Sequence, residues 1–146
     1  MAATAYYAQE VQHLFGAYNW FSDQVTVLPQ NGKTVQHLID FLEHLFRTVY
    51  PTQRLVLVWD NAPIHRSPQV QAFLSLFEPR VVVCWLPPYS PDLNLIERFW
   101  KHLKDHACAN KLFPTLDRLL VNIQRLVTAQ NRPGDPHRIT FAKSFP

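Results

Sequence analysis

Two stretches decide how this chain folds: Val56-Leu57-Val58-Trp59-Asp60-Asn61-Ala62-Pro63-Ile64-His65 and Leu86-Pro87-Pro88-Tyr89-Ser90-Pro91-Asp92-Leu93-Asn94-Leu95-Ile96-Glu97. In the first, the continuous apolar run from Leu55 to Trp59 reads as a strand buried on both faces, and it ends on a carboxylate, Asp60. In the second, the run Val81 to Leu86 predicts another buried strand. Pro87, Pro88 and Pro91 then impose an extended loop, and Asp92 is expected to cap a helix that runs to about Ala109 and carries Glu97 near its start. Between the two strands, Ser67 or Pro68 opens a helix to about Phe77, the crossover that parallel strands require. Ligand groups in parallel sheets gather beyond the carboxyl ends of the strands. Asp60 and Glu97, 37 positions apart, are therefore expected at one edge of the sheet.

Outward from this centre, residues 9–20 read as a strand and 24–29 as its hairpin partner, with a polar turn at Ser22 and Asp23. Thr34 is expected to N-cap a helix to about Tyr50, with Val35, Leu38, Phe41, Leu42, Leu45, Phe46 and Val49 at helical spacing and Pro51 as the stop. Pro114 and Thr115 open a last helix that ends near Gln130, and a Pro/Arg-rich tail follows. The order β-β-α-β-α-β-α-α indicates an α/β domain with a leading hairpin, over residues 1–146 and with no linker or repeat.

Composition narrows the function. With 47% hydrophobic residues among 146, the chain can bury a substantial core. Three glycines, Gly16, Gly32 and Gly134, leave no Gly-rich phosphate loop. No apolar run reaches membrane-spanning length and no signal pattern opens the sequence, so a cytoplasmic protein with no membrane partner is expected. Cys84 and Cys108 fit reduced thiols. Charge is uneven: residues 1–97 hold 5 Lys/Arg against 8 Asp/Glu, and residues 98–146 hold 9 against 3. Such a division suits metal ions held next to phosphates, although charge alone favours a solvated helical surface.

The two quoted blocks resemble the catalytic domain of DDE transposases, in the bacterial insertion-sequence branch of the mariner superfamily. Asp60, within Trp59-Asp60-Asn61-Ala62 and with His65 following, matches the second acidic position of that family's triad. Glu97, at the end of the proline loop, matches the third, and Arg98 to Lys104 resemble the helix that follows it. Leu95 stands where many relatives carry a second proline. The resemblance covers nearly the whole chain, with residues 11–29 similar to the second and third strands of the RNase H-like fold.

The resemblance implies an α/β fold with an RNase H-like mixed sheet flanked by helices, lacking its first, central strand. That strand carries the family's first aspartate; Met1 to Ala8 contain no acid, and neither Glu10 nor Asp23 is placed to substitute. It further implies that Asp60 and Glu97 are catalytic and bind Mg²⁺ or Mn²⁺, ions that take hard oxygen ligands. The implied reaction is DNA strand cleavage and strand transfer, the partners being transposon ends and target DNA in the bacterial nucleoid. No separate DNA-binding domain is expected, and the chain alone is expected to be inactive for want of the first aspartate. Open strand edges would favour homodimerisation or complementation by a separate N-terminal transposase segment. The alternative is a non-catalytic remnant that binds DNA or docks on a transposase.

Four further residues are candidate substrate contacts, each with a plainer reading beside it. Asn61 either orients a ligand or holds the turn after the strand. His65 either meets a substrate phosphate or is a satisfied loop histidine. Lys101 and Lys104 either meet DNA phosphates or belong to a solvated helix face. Arg118, Arg125, Arg132 and Arg138 are candidates for a DNA-facing stripe. His102 and His106, with Cys108 nearby, have zinc-like spacing, but no second pair completes four ligands.

Overall fold

A computed structural model describes residues 2–7, 10–88, 90, 93–108 and 116–141. Strands β1 (Ala2–Tyr7), β2 (Glu10–Tyr18) and β3 (Val25–Gln30) form an antiparallel sheet in that order. Strands β4 (Leu55–Trp59) and β5 (Val81–Trp85) form a second, parallel sheet, with Leu55 opposite Val81 and Trp59 opposite Trp85. Helices α1 (Val35–His44), α2 (Pro68–Ser75), α3 (Leu95–Leu103) and α4 (Leu116–Gln130) flank them. Five-residue π-helical turns extend α1 to Val49 and α3 to Cys108. The expected caps form at Thr34, whose hydroxyl accepts from the His37 backbone, and at Ser67, which accepts from Val70. Helix α3 starts at Leu95 with Asn94 at its N-cap and no side-chain cap bond. The expected cap, Asp92, lies outside the described residues, as do Pro114 and Thr115.

Alternation along β2 sends neighbouring side chains into different cores. Leu14 joins Ile96, Phe99, Trp100 and Leu103 of α3, with Leu119 and Ile123 of α4. Phe15 joins Phe41, Leu42 and Phe46 from the α1 segment, together with Leu57 and Trp59 of β4. The buried stripe on α3, read from its periodicity, is therefore core. Gly16 makes this packing possible, because a Cβ there would lie 2.6 Å from Cη2 and Cζ2 of Trp100.

Three features depart from the sequence reading. Ala2–Tyr7 forms a strand that pairs with residues 10–15 of β2, where no strand was expected. The mixed sheet is divided, since β4 pairs with β5 and not with the antiparallel strands. Strand β4 is also buried on one face only. Leu57 and Trp59 face the α1 core, whereas Val56 is 69% and Val58 41% exposed, with Val82 of β5 at 55%. Helices α3 and α4 pack on the β2–β3 face and leave this one uncovered.

The Pro/Arg-rich tail folds back on the first hairpin. Gln130 Nε2 donates to the carbonyls of Asp23 (2.6 Å) and Ile139 (2.7 Å), and its Oε1 accepts from Ile139 N–H at 2.9 Å. Asn131 brackets Val25, accepting from its N–H at 2.7 Å and donating to its carbonyl at 2.9 Å. Arg138 donates to the Ser22 carbonyl and Arg132 pairs with Asp135, so Arg138 is drawn out of the expected DNA-facing stripe. Asp23, at φ 57°, accepts the Tyr18 hydroxyl at 2.8 Å; burial, then the nearby carboxylate, holds that phenol above its ordinary pKa.

Gly16→Ala is expected to lower stability by about 1–3 kcal/mol, because the methyl group must displace the Trp100 indole. Urea denaturation checks this, and adding Trp100→Phe, which trims the clashing ring, should recover part of the loss.

Candidate active site

Asp60 follows β4 directly and is held by the loop that comes after it. Its Oδ1 accepts the Ala62 N–H at 3.0 Å, an Asx-type turn, and lies 3.0 Å from Nδ1 of His65. The same Nδ1 is 3.0 Å from the Asp60 carbonyl. Both neighbours are acceptors, so Nδ1 carries the proton and donates. The side chain of Asp60 is 46% exposed, and its Oδ2 takes no hydrogen bond among the described residues. One carboxylate oxygen is thus anchored and the other is open, an arrangement that fits a ligand for a hard divalent ion.

His65 is fixed by stacking. Its ring lies 4.2 Å from that of Trp59 at an interplanar angle of 6°, both side chains are 0% exposed, and Gln71 Nε2 donates to the His65 carbonyl at 2.7 Å. The buried ring lies against Trp59 and Asp60, as the satisfied-histidine reading of His65 expects. Burial also pushes its pKa below the ordinary imidazole value, with the Asp60 groups opposing. Asn61 holds the turn, since its Nδ2 donates to the Leu86 carbonyl at 3.4 Å and its Oδ1 accepts from Arg66. Arg66 was not singled out from sequence. Its guanidinium sits 4.7 Å from the centre of the Trp85 ring, and an arginine near a strand-end tryptophan was the available signal.

Glu97 is exposed in the first turn of α3, where its N–H donates to the Asn94 carbonyl at 3.1 Å. The start of this helix, Leu93 to Ile96, lines the same cavity as Val56, Leu57 and Val58 of β4. The start of α3 thus borders the cavity that β4 lines, but neither Asp60 nor Glu97 is among the residues that line it. Among the described residues, no three His, Cys, Asp or Glu side chains form a group that could hold a metal ion. Lys101 and Lys104 are exposed on the turns after Glu97. The His102 and His106 rings lie 4.4 Å apart, but His106 Nδ1 is engaged with the His102 carbonyl at 2.9 Å. No helix among the described residues is long and apolar enough to cross a membrane.

Burial lowers the pKa of His65, and burial followed by His106 lowers that of His102, from an ordinary 6.5. The unfolded chain therefore gains protons at these positions at a higher pH than the folded chain. Their contribution to stability should be complete above about pH 6.5 and fall as pH drops towards the folded values. Urea midpoints measured across this range should show the acid loss. His65→Asn keeps a donor near the Nδ1 position without an imidazole, and its profile should be shallower.

A family model for the DDE superfamily endonucleases matches residues 4–120. The chain is 30% identical over 129 residues to the 39 kDa protein of insertion element IS630 from Shigella sonnei, a match spanning 88% of this chain but 37% of that protein. The fold is similar to the catalytic domain of Mos1 mariner transposase, with a TM-score of 0.66, 21% identity, and 88% of this chain and 68% of that one covered. It is also similar to the catalytic core domain of HTLV-2 integrase in complex with magnesium, with a TM-score of 0.60, 18% identity, and coverage of 86% and 81%. These neighbours are RNase H-like catalytic cores, and with the match over residues 4–120 this chain belongs to the DDE superfamily of endonucleases.

Proposed function

We propose that this chain supplies part of a transposase active centre for metal-dependent DNA strand cleavage and strand transfer, and that it is inactive alone. The carrying observation is Asp60, whose Oδ1 is locked by Ala62 and His65 while its Oδ2 stays open. Glu97, placed by the proline loop on the first turn of α3, would be the second ligand of Mg²⁺ or Mn²⁺. A bound pair of such ions supplies a nucleophilic water or hydroxyl and stabilises the leaving oxygen. The residues of this chain hold the carboxylates in place: the Trp59–His65 stack fixes Asp60, and the buried face of α3 fixes the helix that carries Glu97. Lys101 and Lys104 offer cations to phosphates of transposon ends or target DNA. Among the described residues no three His, Cys, Asp or Glu side chains gather into a group that could hold a metal ion, which supports the reading that another segment or chain must complete the set.

The same observation favours one second reading, a DNA-binding or transposase-docking protein that does not cleave. Two measurements separate them. Asp60→Asn and Glu97→Gln should each weaken Mn²⁺ binding, followed by electron paramagnetic resonance, by about 10–100-fold or more. Supercoiled plasmid should remain intact with this chain alone in Mg²⁺. Nicking that survives Asp60→Asn would sink the assignment, and unchanged Mn²⁺ binding in both variants would leave the binding reading.

Lys101→Ala and Lys104→Ala should weaken DNA binding evenly across sequences. Each should reduce the slope of log affinity against log salt by about 1. Fluorescence anisotropy over a salt series measures it, and an unchanged slope would place both lysines on a merely solvated face.

A further inference from the structure

The loop that holds Asp60 also holds a cation. Arg66, exposed at the end of the short turn after β4, donates to Asn61 Oδ1, and its guanidinium lies 4.7 Å from the centre of the Trp85 ring. Trp85 in turn packs on Trp59, with ring centres 5.5 Å apart, and Trp59 stacks on His65, the donor to Asp60. One run of aromatic rings therefore fixes the cation and the carboxylate relative to each other, at the carboxyl ends of two paired parallel strands. Several other arginines are spent inside the chain. Arg80 donates to the carbonyls of Phe46, Tyr50 and Gln53, Arg138 donates to that of Ser22, and Arg47 pairs with Glu43. Among the described residues Arg66 has no carboxylate partner, and the oxygen it meets is that of a neutral amide.

We propose that Arg66 grips a phosphate of a DNA strand lying across the carboxyl ends of β4 and β5, and so holds that strand in register with Asp60. The choice of nucleic acid as the ligand rests on the function proposed above; the grip itself needs no metal. A guanidinium over an indole face keeps N–H groups at its edge, and their planar fork suits two phosphate oxygens at once. Asn61 and Trp85 already hold the side chain, so little of its freedom is lost on binding. A lysine at this position would keep the charge but neither the stack nor the fork. Lys101 and Lys104, on an exposed helix surface, are cations of that second kind. They supply attraction, whereas Arg66 supplies position.

The test uses the full chain and a short fluorescein-labelled DNA duplex, in EDTA so that no metal contributes. Arg66→Gln should weaken binding about tenfold. It should also lower the slope of log affinity against log salt by about 0.9, the value for one phosphate contact on a duplex. Arg66→Lys should keep the slope and lose about threefold in affinity. Both variants replace an exposed side chain, and urea midpoints check that they fold. The Nε–H resonance of Arg66, assigned by its absence from the Arg66→Lys spectrum, should shift as duplex is added. A residue that only staples the loop to Trp85 would show neither the shift nor the change of slope. An unchanged slope in Arg66→Gln, an equal drop in Arg66→Lys, or a resonance that stays in place at saturating duplex would each overturn the grip. So would a duplex that does not bind. Mn²⁺ binding by Asp60→Asn keeps this proposal apart from the catalytic one. If that binding is unchanged while the Arg66 effects hold, the grip stands and the metal reading falls; weakened Mn²⁺ binding with an unchanged Arg66→Gln slope gives the reverse.

Discussion

Strand β2 carries the mechanical connection between the two halves of this molecule. Among the described residues the antiparallel and parallel sheets share no backbone ladder, so side chains hold them together. Leu14 and Phe15, adjacent in sequence and opposite in direction, place one anchor in each core. Gly16, the next residue, lets the Trp100 indole lie against the backbone. Three consecutive residues thus set the positions of α1, α3 and β4, and through them the segments that carry Asp60 and Glu97. Dispersion and burial, which are non-directional, do what directional hydrogen bonds would do in an undivided sheet.

The carboxyl end of β4 is a smaller and stiffer unit. Trp59, Asp60, Asn61, His65 and Arg66 are tied together by a stack, an Asx-type turn and hydrogen bonds to Leu86 and Gln71. Its geometry is fixed within a short stretch of chain and one neighbouring strand end. The second acid depends on a longer lever: Glu97 is placed by the loop after β5 and by the seat of α3 on β2. Disturbance of the α3 packing should therefore move Glu97 more than Asp60.

Much of this was legible in the sequence because hydrophobic periodicity reports which face of an element is buried. The α1 and α3 stripes, the β2–β3 hairpin and the Thr34 and Ser67 caps all follow from local chemistry. Asp60 and Asn61 were legible as a strand-end pair. What escaped depends on distant partners. Ala2–Tyr7 has little β-branched content, and it becomes a strand through the edge β2 offers. The run Leu55 to Trp59 shows that a strand is apolar but not whether helices cover both faces, so the exposure of Val56 and Val58 could not be read. His65 looked like a loop residue because the ring that buries it belongs to a strand. Gln130 and Asn131 looked like the polar end of a helix, whereas their amides bind the backbone of residues more than a hundred positions earlier.

That last arrangement has a consequence for synthesis. The amide of Asn131 closes on Val25 across 106 residues, and the hydroxyl of Tyr18 reaches the Ile139 carbonyl across 121. Contacts of this separation raise the contact order and slow the search for the native state. Ribosomes add about 5–20 residues per second, so the first hairpin waits for several seconds before its clamp emerges. During that interval the nascent hairpin exposes Leu14 and Val25 without α3 or α4 to cover them. A clamp encoded so late in the chain leaves these apolar side chains without their cover while the segment between them is made.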